Sequence, residues 1–117
     1  MNEGDFEDLS PRLAEFAAER DWDQFHSPKN LAMALAAEVG ELLEHLQWLS
    51  EAQSEALTDK SRAEIALELA DIQLYLVRLA DKLDVDLVAA AHRKIGINAS
   101  KYPADKARGH ARKYTEL

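Results

Sequence analysis

Ser61-Arg62-Ala63-Glu64-Ile65-Ala66-Leu67-Glu68-Leu69-Ala70-Asp71-Ile72-Gln73-Leu74-Tyr75-Leu76-Val77-Arg78-Leu79-Ala80-Asp81-Lys82-Leu83 is the stretch that decides the fold. Ile65, Leu69, Ile72, Leu76, Leu79 and Leu83 recur at the three- and four-residue spacing of a helical face, and Leu67, Leu74 and Val77 widen the stripe. The pattern predicts one long helix covered on more than one side. Working backwards, Ser27-Pro28 is an N-cap followed by a proline at the first helical position and predicts a second helix from Pro28 to about Leu49. Ser10-Pro11 repeats that signal for a helix to about Arg20 carrying Leu13, Phe16 and Ala17. Forwards, the break at Asp84 to Asp86 leads into a helix from Leu87 towards Tyr102, closed by Pro103 and containing Gly96. Ala52 to Lys60 reads as a polar loop with Thr58 or Asp59 as a cap. Ala104 to Leu117 reads as a tail that is mobile or ordered only against another subunit.

The 117 residues have room for one domain, and the composition (47% hydrophobic, 7% aromatic, 31% charged, 4 Gly, 3 Pro) suits helices. An all-α fold is therefore expected. A net charge of −8 disfavours broad nucleic-acid binding and anionic lipid, although cations at one site would still admit a small anionic substrate. The absence of cysteine excludes disulfides, thiolate zinc sites and cysteine nucleophiles. Met1 to Asp8 is acidic and lacks the basic and apolar regions of a signal peptide, and no apolar run reaches membrane-spanning length, so a cytoplasmic location is expected.

The chemistry sits on the two central helices. Glu38-Val39-Gly40-Glu41 and Glu68-Leu69-Ala70-Asp71 each place two carboxylates one turn apart on one face, within otherwise small or apolar surroundings. If the helices are antiparallel neighbours, the four acids converge, and like charges in partial burial need a cation. Oxygen-only ligands favour Mg²⁺, Mn²⁺ or Ca²⁺ over zinc. The plain alternative is that these acids lie on solvated faces of a non-catalytic helical interaction module. A di-iron bundle usually needs Glu-x-x-His pairs, whereas His45 lies four residues after Glu41 and the long helix has no histidine.

These residues resemble the MazG-like all-α nucleoside triphosphate pyrophosphohydrolases, whose signature is Glu-x-x-Glu on one helix and Glu-x-x-Asp on the next. The match looks closest to the dCTP pyrophosphatase branch. It is carried by Arg20-Asp21-Trp22-Asp23-Gln24-Phe25-His26, Pro28-x-Asn30-Leu31, Glu38-Val39-Gly40-Glu41-Leu42, Gln47-Trp48, Glu68-Leu69-Ala70-Asp71, Tyr75-Leu76 and Lys94-x-x-x-Asn98-x-x-x-Tyr102-Pro103. The resemblance implies Mg²⁺, with Mn²⁺ as a substitute, on Glu38, Glu41, Glu68 and Asp71, and hydrolysis of a deoxynucleoside triphosphate to monophosphate and pyrophosphate, with one carboxylate as base; the sequence does not decide which, and Glu41 is taken for it. It also implies that Trp22, His26 and Trp48 line a base pocket, that Tyr75 packs near the sugar or base, and that Lys94 and Asn98 contact phosphate. It further implies a four-helix bundle-like MazG-type fold assembled as an oligomer, a homotetramer ahead of a dimer. The substrate expected first is dCTP or a 5-modified dCTP, ahead of dUTP, phosphoribosyl-ATP or a broad nucleotide set.

Overall fold

The structure, a computed structural model, describes residues 6–117; Met1–Asp5, the start of the acidic N-terminal stretch, lie outside the described residues. Every regular element among the described residues is helical. Helix α1 spans Phe6–Glu19, α2 Pro28–Leu46, α3 Glu51–Glu55, α4 Asp59–Lys82, α5 Leu87–Lys101 and α6 Ala104–Ala107, with 3₁₀ turns at Asp23–Phe25 and Tyr114–Glu116. The chain forms two compact units divided after Asp84.

In the first unit the starts of the helices follow local chemistry. Ser27 accepts the Asn30 amide at 3.1 Å and Pro28 opens α2. Thr58 does the same for Ser61 at 3.1 Å and starts α4 slightly earlier than expected. Two expectations need correction. Helix α1 begins before Ser10, so Pro11 lies inside it, where its missing amide forgoes one internal hydrogen bond. The connection at Ala52 to Lys60 is also not wholly irregular: Ser50 and Gln53 form a reciprocal capping box, with amide-to-side-chain distances of 2.9 and 3.1 Å, that supports α3.

Helix α1 ends in a left-handed residue, Asp21, at φ 53°. The Trp22 amide donates to the Ala17 carbonyl at 2.9 Å and the Asp21 amide to Ala18 at 3.1 Å, the hydrogen-bond pattern of a Schellman ending. This closure returns Trp22 onto Phe16, the rings meeting edge to face at 5.7 Å. Helices α2 and α4 pack along their length and α1 packs on α4. Contacts run in opposite chain order, His26 with Arg78 and His45 with Glu68, so α2 and α4 are antiparallel. The core is small: Ala17, Leu31, Ile65, Val77 and Ala80 are buried, with Leu31 only 1% exposed. Burying a leucine contributes about 1.5–3 kcal/mol.

In the second unit Asp86 caps α5 through the Ala89 amide at 3.0 Å. The tail beyond it carries α6 and the 3₁₀ turn at Tyr114–Glu116. Tyr114 meets Tyr102 edge to face at 6.0 Å, and the Lys101 ammonium lies 4.9 Å from the Tyr114 ring centre. These aromatic and cation–π contacts join the tail to the end of α5.

Candidate functional site

The antiparallel packing of α2 on α4 turns two local acidic spacings into one cluster. Glu38, Glu41 and Glu68 each present a carboxylate oxygen within 4.8 Å of the others. Glu38 Oε2 and Glu68 Oε2 are buried and lack a hydrogen-bond partner among the described residues. Burial, a proton shared with Glu41, and the charges of Glu41, Asp71 and Glu68 push the Glu38 carboxyl up to about 7. Glu68 is raised for the same leading reasons, burial first and then Glu41, with His45 opposing the rise. His45 Nε2 lies 3.8 Å from Glu68 Oε1. Helix α4 has no histidine of its own, so this contact is made across the helix pair and was missed in the sequence. An oxygen-only set with two orphaned buried oxygens fits a hard divalent cation, which would satisfy both lone-pair sets and remove the like-charge cost.

Asp71, one turn beyond Glu68, is near enough to influence Glu38 and Glu68 but outside the tight trio. It borders a cavity of about 280 Å³ lined by Leu13, Phe16, Ala17, Trp22, His26, Leu31, Asp71, Leu74, Tyr75 and Arg78. Trp22, His26 and Tyr75 are thereby brought together beside one acidic residue. Trp48 is not: it follows the end of α2, is 83% exposed, and is absent from the cavity lining. Lys94 and Asn98 share one face of α5 in the second unit, and both are exposed.

The sequence reading also missed Arg78, a buried cation on the apolar helix. Its Nη2 donates to Asp23 at 2.6 Å, its Nη1 to Asp81 at 3.0 Å and its Nε to His26 Nδ1 at 3.2 Å, while Lys82 Nζ donates to Asp23 at 2.5 Å. The available signal was a lone arginine set between Val77 and Leu79, together with Asp81 three residues on. Burial, then the charges of Arg78 and Lys82, hold His26 below its ordinary pKa, with Asp23 opposing. Asp23 is itself lowered, chiefly by its hydrogen bond from Lys82.

Comparison with known proteins finds relatives along most of the chain. dCTP pyrophosphatase 1 of Rattus norvegicus is 50% identical over 113 residues, 95% of this chain and 66% of the relative. The Homo sapiens protein of that name is 49% identical with the same coverage, so the chain spans about two thirds of the length of these relatives. A pyrophosphatase of Archaeoglobus fulgidus has the same fold, with a TM-score of 0.80 and 36% identity over 88% of this chain and 96% of the other. The MazG-like family profile matches residues 33–117, which carry both acidic pairs, and the chain belongs to that family.

Proposed function

We propose that this chain is a divalent-metal-dependent nucleoside triphosphate pyrophosphohydrolase acting on a deoxynucleoside triphosphate, dCTP or a 5-modified dCTP first. The observation that carries the reading is the convergence of Glu38, Glu41 and Glu68, with two buried unpartnered oxygens, next to an aromatic-lined cavity that Asp71 borders. The names of the relatives support the choice of dCTP.

Glu38, Glu41, Glu68 and Asp71 would hold Mg²⁺, or Mn²⁺ in its place. Bound there, the metal supplies charge neutralisation for phosphate oxygens and acidifies a coordinated water. Water adds to phosphorus, the anhydride bond between the α- and β-phosphates breaks, and monophosphate and pyrophosphate leave. The proton of the water passes to a carboxylate, for which Glu41 is proposed because it alone adjoins both Glu38 and Glu68 as their principal charged neighbour. Trp22, His26 and Tyr75 hold the base and sugar in the cavity. Lys94 and Asn98, four residues apart on α5, serve phosphate.

We also infer a homotetramer, ahead of a dimer, in a cytoplasmic setting with neither a nucleic-acid nor a membrane partner. Leu67 at 69% exposure, with Met33, Val39, Leu43 and Leu69 also exposed, and Trp48 at 83% just past the end of α2, leave more apolar surface on and beside α2 and α4 than a monomer usually shows to water. Trp48 would complete its pocket from such an interface. No described helix is long and apolar enough to cross a membrane.

Product analysis tests the reading. The purified protein is incubated with individual dNTPs and NTPs, with and without Mg²⁺, beside Glu41→Gln. Monophosphate and pyrophosphate from dCTP, lost in the variant and without metal, are expected. Preference for dUTP, phosphoribosyl-ATP or a broad set would discard the substrate and keep the chemistry; no turnover would favour an interaction module.

A further inference from the structure

The cavity beside the acidic cluster contains a histidine whose tautomer is dictated by its neighbour. An arginine guanidinium has only donors, so the Nε–H of Arg78, 3.2 Å from His26 Nδ1, requires that ring nitrogen to accept. A neutral imidazole accepting at Nδ1 carries its proton on Nε2. The guanidinium cannot readily turn away, because Asp81 holds Nη1, Asp23 holds Nη2, and the side chain is only 7% exposed. Lys82 in turn fixes Asp23. The Trp22 ring bounds the imidazole edge to face at 6.5 Å. Among the described residues no protein group bonds His26 Nε2.

We propose that Arg78 is a positioning residue that locks His26 as its Nε2–H tautomer, so that the aromatic cavity offers the nucleobase a hydrogen-bond donor suited to a pyrimidine carbonyl or ring-nitrogen acceptor. This rests on the nucleotide reading above. A doubly protonated His26 would set N–H against N–H at Arg78. The charged groups that act on the ring are Arg78, Lys82 and Asp23, with Asp71 elsewhere in the cavity lining; the two cations and burial oppose the charged imidazole, and Asp23 favours it. The donor is therefore that of a neutral ring, and Arg78 acts on the base only through it.

Two readouts test this. Long-range ¹H–¹⁵N correlation of the His26 ring in the wild type should show Nδ1 bare and Nε2 protonated, with the Nε2 signal moving on addition of dCMP. Arg78→Lys, which keeps the charge and loses the Nε–H, should mix the tautomers. It should also raise KM for dCTP by about twofold, the cost of halving the population of the competent tautomer, with kcat nearly unchanged. His26→Ala, which removes the donor, should raise KM by about tenfold, the scale of one hydrogen bond, and adding Arg78→Lys to it should change KM no further. A proton on Nδ1 in the wild type, an Nε2 signal indifferent to dCMP, or an equal KM change with and without His26 overturns the proposal. If Arg78→Lys does not fold, the wild-type spectrum and its dCMP titration still decide. A wild type that hydrolyses no nucleotide overturns the functional reading and the base contact with it, while the ring spectrum separately decides the tautomer.

Discussion

Where α4 ends, Arg78 and Lys82 face Asp23 and Asp81; nearer its start, Glu68 faces Glu38 and Glu41 across the same helix pair. Both places bring charge into partial burial. In the first the two cations and two carboxylates balance, and every contact lies within 3.0 Å. In the second, among the described residues, carboxylates are opposed only by a histidine at 3.8 Å, and two oxygens have no partner. Folding completes the first cluster and leaves the second short of positive charge. A helix pair of this kind thus separates a group that holds the cavity in shape from a group that needs something from solution.

The largest effect should break this contrast at the acidic end. Glu68→Gln or Glu38→Gln should lower kcat/KM for dCTP by on the order of 10²–10³-fold, read in steady-state assays at saturating Mg²⁺. The metal-free protein should become more stable with Glu38→Gln, because the substitution removes a charge disfavoured by burial and by its neighbours. Removing the core side chain between the two ends, Leu31→Ala, should cost about 2–5 kcal/mol in denaturant unfolding. At the balanced end, Arg78→Met should destabilise by about 1–3 kcal/mol, since Asp23 is partly solvated and keeps Lys82.

The pH dependence sharpens the comparison. Folded, metal-free protein keeps the proton of Glu38 up to about 7, whereas the unfolded chain releases it near the ordinary value of 4.5. Between those values the native state binds more protons, so stability should fall as pH rises through this window. Thermal melts in a chelator should show that fall, and Mg²⁺ should stabilise more at pH 8 than at pH 5. The smallest expected effect is at Gly40, where an added Cβ meets nothing within 4 Å in this chain. Gly40→Ala should raise stability by about 0.5–1 kcal/mol through helix propensity. A drop, together with a smaller species by light scattering, would place another copy against that face.

Much of the acidic end was legible because helical period is a local property: the three-residue spacing of each pair fixes a face, and packing α2 on α4 needs only their apolar residues. The helix starts at Ser27 and Thr58 were readable for the same reason. Ser50 to Gln53 had the right spacing for a capping box, but so short a helix has no periodicity to support it. Arg78 was not legible because its partners Asp23 and His26 lie 55 and 52 positions away in the chain, and no pattern within a helix states that pairing. The structure gathers Trp22, His26 and Tyr75 at one cavity, whereas Trp48 stays outside it. The latter is a consequence of position: Trp48 falls in the turn beyond the last residue of α2.

The antiparallel α2–α4 pair also has an order of assembly written into it. Its closed end is the short connection through α3, where contacts such as His45 with Glu68 bridge little chain, while its open end is joined by His26 and Arg78, separated by 52 residues. Loop closure is less costly for the near contacts, so the pair should zip from α3 outward and the aromatic cavity should form last. Running backwards, the same end opens first. Amide exchange should therefore be faster around the α1–α2 connection than beside Glu68, and the breathing motion that exposes the cavity need not disturb the acidic cluster.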